Sequence, residues 1–449
     1  MLSAYANSLK IPDLRRRIFF TLAIIALCRV AANIPCPGIN PKALEAYFSQ
    51  EGGPGAGLLG MFDLFTGGAL QRFAVGTLGI MPYITASIIM QLLMPVIPPL
   101  EKMMREEGEA GRRKYNQYTR YLTLVVCVMH GFGASKLMSN PAFFGAGGVD
   151  SAVIKSGPWF TISTIIILTG GTMLLVWLGE QITDRGIGNG ISLIIMVNII
   201  SRLPAALMGV FKLVRSGGTS GNLIQALILM AIFFVVCGAT VALTQGVRKI
   251  PVRHAQRMVG RRMTSGHTSY LPLRVNFAGV MPIIFGSAIL VFPRMIFGAM
   301  DFTRGWVRYV TPGHWLYIAI FAVVIILFSY FWVATQFNPI QIADNLQKQS
   351  GYVPGIRPGQ PTADFLDMTM TRITFAGSIF LTVIAILPML LAGTFDQLDP
   401  EVSAFFGGTS LLIMVGVMLD TMRQVEAFLL SNRYDGFLSK GQLRSRRGV

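Results

Sequence analysis

The sequence predicts an all-α integral membrane protein of about ten transmembrane helices, arranged as two pseudo-symmetric five-helix halves. Three observations carry this prediction. The 449 residues are 53% hydrophobic and 13% charged, roughly half the charged share of an average soluble domain. The charges gather in short connectors between long apolar runs. A short motif also recurs at half the chain length.

Apolar runs of about 20 residues match a hydrocarbon core of about 30 Å. Ten candidates fall at about 18–34, 72–97, 118–136, 158–178, 191–209, 222–244, 276–298, 314–334, 372–392 and 408–428. In lipid a spanning segment must satisfy its own backbone polar groups, so each is expected to be helical. Before the first run, Arg15, Arg16 and Arg17 imitate the start of a signal peptide, and Ala31 and Ala32 offer small residues near its end. Arg29 inside the run argues for an uncleaved first helix. Residues 57–70 are apolar but too short to span, and Thr66-Gly67-Gly68 interrupts them. Such a stretch either lies at the interface or folds back into a protein-lined cavity.

Gly79-Ile80-Met81-Pro82 in the second run recurs as Gly279-Val280-Met281-Pro282 in the seventh, and Ile84 and Ser87 recur as Ile284 and Ser287. The offset fits halves of five helices each, residues 1 to about 215 and about 216 to 449. Gly/Pro-interrupted helices at matching positions point to a pathway between halves. Taken alone, Pro82 and Pro282 support only kinked helices.

Basic residues set the topology. With a cytoplasmic N-terminus, most of the 38 Lys and Arg fall on the cytoplasmic side, and both termini lie there. Two cytoplasmic connectors are long. Residues 246–275 carry Arg248, Lys249, Arg253, Arg257, Arg261, Arg262 and Arg274. Residues 337–371 contain Gly355-Ile356-Arg357-Pro358-Gly359, a frame for a tight turn with Arg357 at its tip. Both read as docking surfaces or as plain solvated loops; their length favours docking. The net charge of +17 fits contact with anionic membrane lipid rather than nucleic acid.

Cys28, Cys36, Cys127 and Cys237 lie in or beside apolar runs without metal-ligand or disulfide spacing, so no metal is assigned. Ionisable groups are scarce inside the runs. Arg29 and Arg202 lie toward outer helix ends and Asp420 toward the inner half of the last helix. An ion-coupled transporter would need such groups near the midplane. No Walker loop, HExxH or GxSxG motif is present, and no nucleophile stands beside a base. The chain reads as a passive device without cofactors, not an enzyme.

Five stretches resemble the SecY family and together cover nearly the whole chain. They are Gly68-Ala69-Leu70 through Leu93, Trp177 through Ser192, Val353-Pro354-Gly355-Ile356-Arg357-Pro358-Gly359, Phe406 through Ile413, and Gly108-Glu109 with Gly111-Arg112-Arg113-Lys114. The bacterial form is the more similar. The resemblance implies an hourglass protein-conducting channel of the general secretory pathway around a central pore. It passes unfolded polypeptides across the membrane and releases apolar segments sideways into lipid.

The same resemblance implies a ring of Ile80, Ile84, Ile191, Ile195, Ile284 and Ile413 at the waist, where an apolar constriction empties of water and blocks ions. It implies a plug at 57–70 that includes Leu58, Leu59, Met61, Phe62, Leu64 and Phe65. A lateral gate would carry Ser87, Gln91 and Ser287, able to bond across a closed seam. Docking of the motor ATPase SecA or a ribosome, through ribosomal RNA, would fall to Arg261, Arg262 and Arg357. Partners would further include SecE, SecG and signal-sequence-bearing polypeptides, and the site would be a bacterial inner membrane. Pro251 and the lysine-poor 361–371 stretch depart from the family pattern, which bears on partner contacts rather than on the channel. The rival readings are a small-solute transporter, which does not explain the scarcity of ionisable groups, an intramembrane protease, which lacks its buried pair, and a passive insertion scaffold.

Overall fold

A computed structural model describes residues 11–40, 44, 63, 65–139, 157–216, 220–254, 257–259, 262–264, 268–287, 289–290, 309, 314–394 and 408–440. It resolves into two compact units, Met1–Ala205 with Val417–Val449, and Ala206–Gly416.

The first unit contains α1 (Pro12–Ala31), α2 (Met81–Leu93), α3 (Pro98–Glu106), α4 (Gly108–Ser139), α5 (Pro158–Arg185) and α6 (Gly190–Ile200). Proline occupies the first turn of α1, α2, α3 and α5, where its missing N–H and fixed φ cost nothing. Asn189 caps α6, its Oδ1 accepting from Ile191 N and Ser192 N at 3.1 and 3.3 Å. α4 packs on both α2 and α5, and α1 lies along α5.

The second apolar run does not form the continuous helix expected for 72–97. Helix begins only at Met81, and the axis turns by 103° between Met81–Leu93 and Pro98–Met104. Residues 70–80 are irregular, with positive φ at Phe73 and Gly79. Their backbone is satisfied by the chain leaving α1: Cys36 N donates to Phe73 O at 2.9 Å, Val75 N to Ile34 O at 2.8 Å and Gly76 N to Ala31 O at 3.2 Å. Irregular backbone at membrane depth is tolerated where protein supplies such partners. Gly171 of α5 makes room for the strap, since a Cβ there would collide with Val75 O.

The second unit contains α7 (Leu203–Ser216), which enters it at Ala206, then α8 (Ser220–Gln245), α9 (Trp315–Gln336), α10 (Pro339–Lys348), α11 (Gln360–Thr394) and the start of α12 (Gly408–Lys440). Residues 281–287 are also helical. Its apolar core joins Ile283, Tyr317, Phe321, Ile325, Leu381 and Leu411. Among the described residues, five helical stretches are long and apolar enough to cross a membrane, or six with the bent pair as one span. Large apolar side chains face outward along them, including Trp177 on α5 and Phe234 and Val235 on α8. So much exposed apolar surface suits lipid rather than water.

The described residues of the 246–275 connector are mostly β-structure, a short extramembrane addition to the helical fold. β1 (Val247–His254), β2 (Arg257–Val259), β3 (Arg262–Thr264) and β4 (Thr268–Arg274) form two antiparallel pairs, and β5 (Gly351–Tyr352) extends the larger sheet in the order β4-β1-β5. The reason is period-two alternation: Ile250 and Val252 are buried while their neighbours face solvent. Pro251 sits opposite Tyr270 of β4, and β5 pairs only at Arg253 and His254. The proline thus falls where the second edge of β1 has no ladder partner, a position that tolerates its missing N–H.

Candidate functional site

The recurring motif has the same backbone in both units. Gly79 and Gly279 hold φ of 56° and 63°, a left-handed conformation favoured by glycine, and each is followed at residue 81 or 281 by helix. Ile84 N donates to Ile80 O at 3.1 Å, and Ile284 N to Val280 O at 3.3 Å. Each unit therefore presents an isoleucine on the first turn of a proline-initiated helix.

The six isoleucines lie in both units. Ile80 and Ile84 stand at the start of α2, Ile191 and Ile195 on the first turns of α6, Ile284 in helix 281–287 and Ile413 on α12. Ile80, Ile195, Ile284 and Ile413 are buried, and Ile84 and Ile191 are half-buried. Ile191 is placed by the turn that joins α5 to α6. Thr183 Oγ1 accepts from Gly190 N at 2.9 Å and donates to Gly179 O at 3.0 Å. Thr21 of α1 accepts from Ile187 N at 3.2 Å, and Arg17 donates to Gly186 O at 3.4 Å. Arg17 also lies over the ring of Phe428, 5.1 Å from its centroid.

Ser87 and Gln91 both lie on α2, and Gln91 Nε2 donates to Ser87 Oγ at 3.2 Å. Gln91 Oε1 is buried without a hydrogen-bond partner among the described residues. Ser287 donates to Ile284 O within its own helix at 2.9 Å. The described bonds of all three therefore run within single helices.

Of the plug residues, Phe65 is described; Leu58, Leu59, Met61, Phe62 and Leu64 lie outside the described residues. Around Phe65 the structure assembles a polar set that composition did not reveal. Asp63 is 2% exposed. It forms an ion pair with Arg202, and its Oδ1 accepts from Leu70 N and Gln71 N at 3.1 Å each. Arg29 of α1 donates to Asn198 Oδ1 at 3.2 Å and to Gly67 O at 3.1 Å. Asn198 of α6 donates in turn to Phe65 O at 3.0 Å. Arg29 and Arg202 were legible only as charges near helix ends. Asp63 and Asn198 carried a weaker signal, a lone acid and a lone amide inside apolar stretches.

Arg357 is exposed on a loop between Gly355 and Gly359, which hold φ of 85° and 96°. Ile356 N donates to Val353 O at 3.1 Å, and Thr362 Oγ1 donates to Arg357 O at 2.8 Å. Below it, Val353, Ile250, Leu273, Phe337, Leu366 and Met370 form a core shared by the sheet, α9 and α11. The sheet and the loop that carries Arg357 are thus one packed body rather than two separate connectors. Arg262 opens β3 opposite Val259, and Arg261 lies outside the described residues. No group of three His, Cys, Asp or Glu side chains suited to a metal occurs among the described residues.

The model of the SecY family matches residues 74–422. The chain belongs to the SecY family. The protein translocase subunit SecY of Chlamydia trachomatis serovar D is 44% identical over 448 residues, covering 97% of this chain and 98% of that relative. Two solved structures share the SecY fold. One, of a protein conducting channel, aligns with a TM-score of 0.65 at 17% identity over 92% of each chain. The other, of Sec61 in the canine ribosome-channel complex from the endoplasmic reticulum, aligns with a TM-score of 0.61 at 16% identity, also over 92% of each chain.

Proposed function

We propose that this chain is the channel-forming subunit of a bacterial protein translocon. Unfolded polypeptides cross the membrane through it, and apolar segments leave it sideways into lipid. Membership of the SecY family is the observation that carries this reading. The recurrence of one glycine-proline geometry in two compact units supports it further, because repeated, interrupted helices are how transport folds frame a pathway.

In this reading ten helices span an inner membrane, both termini are cytoplasmic, and the isoleucine positions seal the waist. Apolar side chains suit the task physically: they exclude water and ions at rest and offer a moving chain no hydrogen bonds that would hold it. Ser87, Gln91 and Ser287 border the sideways exit. The buried, unpartnered Oε1 of Gln91 fits a seam whose polar groups exchange partners, since such an acceptor costs about 1–3 kcal/mol while unsatisfied. The chain itself supplies no chemistry. The driving energy comes from the motor SecA or from a translating ribosome, docked through Arg261, Arg262 and Arg357, the last carried by the packed body, and SecE and SecG complete the complex.

A photocrosslinker at position 84, with a secretory chain stalled part-way in native membranes, tests the reading. A crosslink that disappears on release of the stalled chain is expected. Its absence at 84, 191, 284 and 413, with transport otherwise normal, would remove the pore assignment.

A further inference from the structure

The sheet β4-β1-β5 leaves two edges without a strand partner among the described residues: the outer edge of β4, and the part of β1 before Arg253. A proline stands within each. Val275 N donates to Gly246 O at 2.9 Å. This bond sets the phase of the β1–β4 ladder, because bonding and non-bonding pairs alternate along an antiparallel pair. In the observed register Arg248, Ile250 and Val252 therefore bond to Leu273, Leu271 and Ser269. The residues between them turn their backbone groups outward. Pro251 and Pro272 are both outward residues, so each free edge lacks a donor part-way along. Val247 and Lys249 remain as outward donors before Pro251, and Thr268 and Tyr270 before Pro272.

The same alternation explains why β5 is so short. It pairs with β1 at Arg253–Tyr352 and His254–Gly351. Two residues further on, that register would set Pro354 against Pro251 as the next bonding pair, and neither has an N–H to give. The chain turns there instead, and Ile356 N donates to Val353 O at 3.1 Å.

Nothing in the ladder itself calls for these prolines. β-Branched residues suit a strand better, and Pro251 and Pro272 are exposed, outside the core beneath the sheet. Their effect falls on a strand arriving from outside. A free edge is a template for any extended chain, because main-chain bonds carry strand addition whatever the sequence. A proline within the edge deletes one such bond and places a ring where the incoming strand would lie. Lys249 adds a charge on the same edge of β1, a second device that blunts pairing. In the channel reading, on which this inference rests, the sheet stands on the side where unfolded polypeptides arrive with their backbones unpaired.

We propose that Pro251 and Pro272 keep the sheet from capturing the unfolded polypeptides that the channel carries, by denying them strand addition on both free edges.

The test uses the full translocon in native membranes with a secretory chain stalled part-way. A photocrosslinker at position 270 reports on the edge of β4 and one at 247 on the edge of β1, with the crosslink at 84 measured in parallel. Pro272→Val is expected to raise the crosslink from 270 to the stalled chain about threefold, the scale of one added net hydrogen bond. Pro251→Val is expected to do the same at 247, and covers the case in which Pro272→Val does not accumulate. Valine introduced at 272 as its α-hydroxy acid, with an ester oxygen in place of the N–H, should return the native yield. Native yields in both valine variants, with the crosslink at 84 retained, would overturn the proposal and leave the channel standing. A rise shared by valine and its hydroxy acid would overturn it as well, because the N–H would not be what the edge withholds. New crosslinks to a second copy of this chain in place of the cargo would overturn it by making self-association the event prevented. Absence of the crosslink at 84 in the native chain would overturn the channel reading and this inference with it.

Discussion

Gly190 opens α6 directly against the backbone of α5: a Cβ at this position would run into the carbonyl oxygen of Gly179. The two glycines let the helices approach closely here, as small residues permit in membranes. Gly190→Ala is therefore expected to force the helices apart at a cost of roughly 1–3 kcal/mol. Thermal unfolding in detergent should show a lowered midpoint. Gly170→Ala is the control, because nothing lies within 4 Å of a Cβ there, and its midpoint should match the native one.

The same turn depends on one hydroxyl. Thr183→Val keeps the shape but strips the acceptor from Gly190 N, leaving that N–H unsatisfied at a cost of about 1–3 kcal/mol. Thr183→Ser should recover most of the loss. Equal unfolding midpoints for the valine and serine variants would show that the hydroxyl does not hold the turn.

A carboxylate at the waist should wet it. Ile84→Asp or Ile284→Asp is expected to make the resting channel conduct ions, because an apolar constriction blocks them by staying dry. Ile84→Leu, equally apolar, should not. Conductance in planar bilayers separates these outcomes, and no change in either aspartate variant would count against the ring.

Arg357→Glu reverses the charge at the tip of the packed loop without touching the core beneath it. Motor-driven transport into inverted vesicles should be abolished, with the amount and stability of the protein unchanged. Normal transport in this variant would remove Arg357 from the docking surface.

Leu366 is fully buried beneath that loop. Leu366→Ala should cost about 2–5 kcal/mol through lost apolar contact and the cavity left behind. Hydrogen exchange at residues 353–359 would then accelerate while exchange in α5 stayed slow. Uniform acceleration across both units would mean that the loop and its core do not open as a separate body.

Much of the membrane architecture was legible because lipid imposes a length and a composition on whatever crosses it. The 158–178 run reappears inside Pro158–Arg185, and the 314–334 run as Trp315–Gln336 with His314 at its N-cap. The second run misled for a local reason: its residues are mostly apolar, but Phe73 and Gly79 take positive φ and helix starts only at Met81, and hydropathy does not register φ. The β-structure of 246–275 was present as alternation around Ile250 and Val252, masked by the arginines between them. Arg357 was correctly read as the exposed tip of a turn, since Gly355 and Gly359 mark it locally.

The sequence by itself determined that the chain carries long apolar helices suited to lipid, where the motif repeats and which family the chain resembles. Each of these follows from local composition or from the order of neighbouring residues. Only the tertiary structure decided that Asp63 meets Arg202, that Arg29 meets Asn198, and that the sheet and the Arg357 loop share one core. Such pairings join residues far apart in the chain and leave no periodic trace in it. They exist because packed helices bring isolated polar groups to one place, where a low dielectric makes leaving them unpaired expensive.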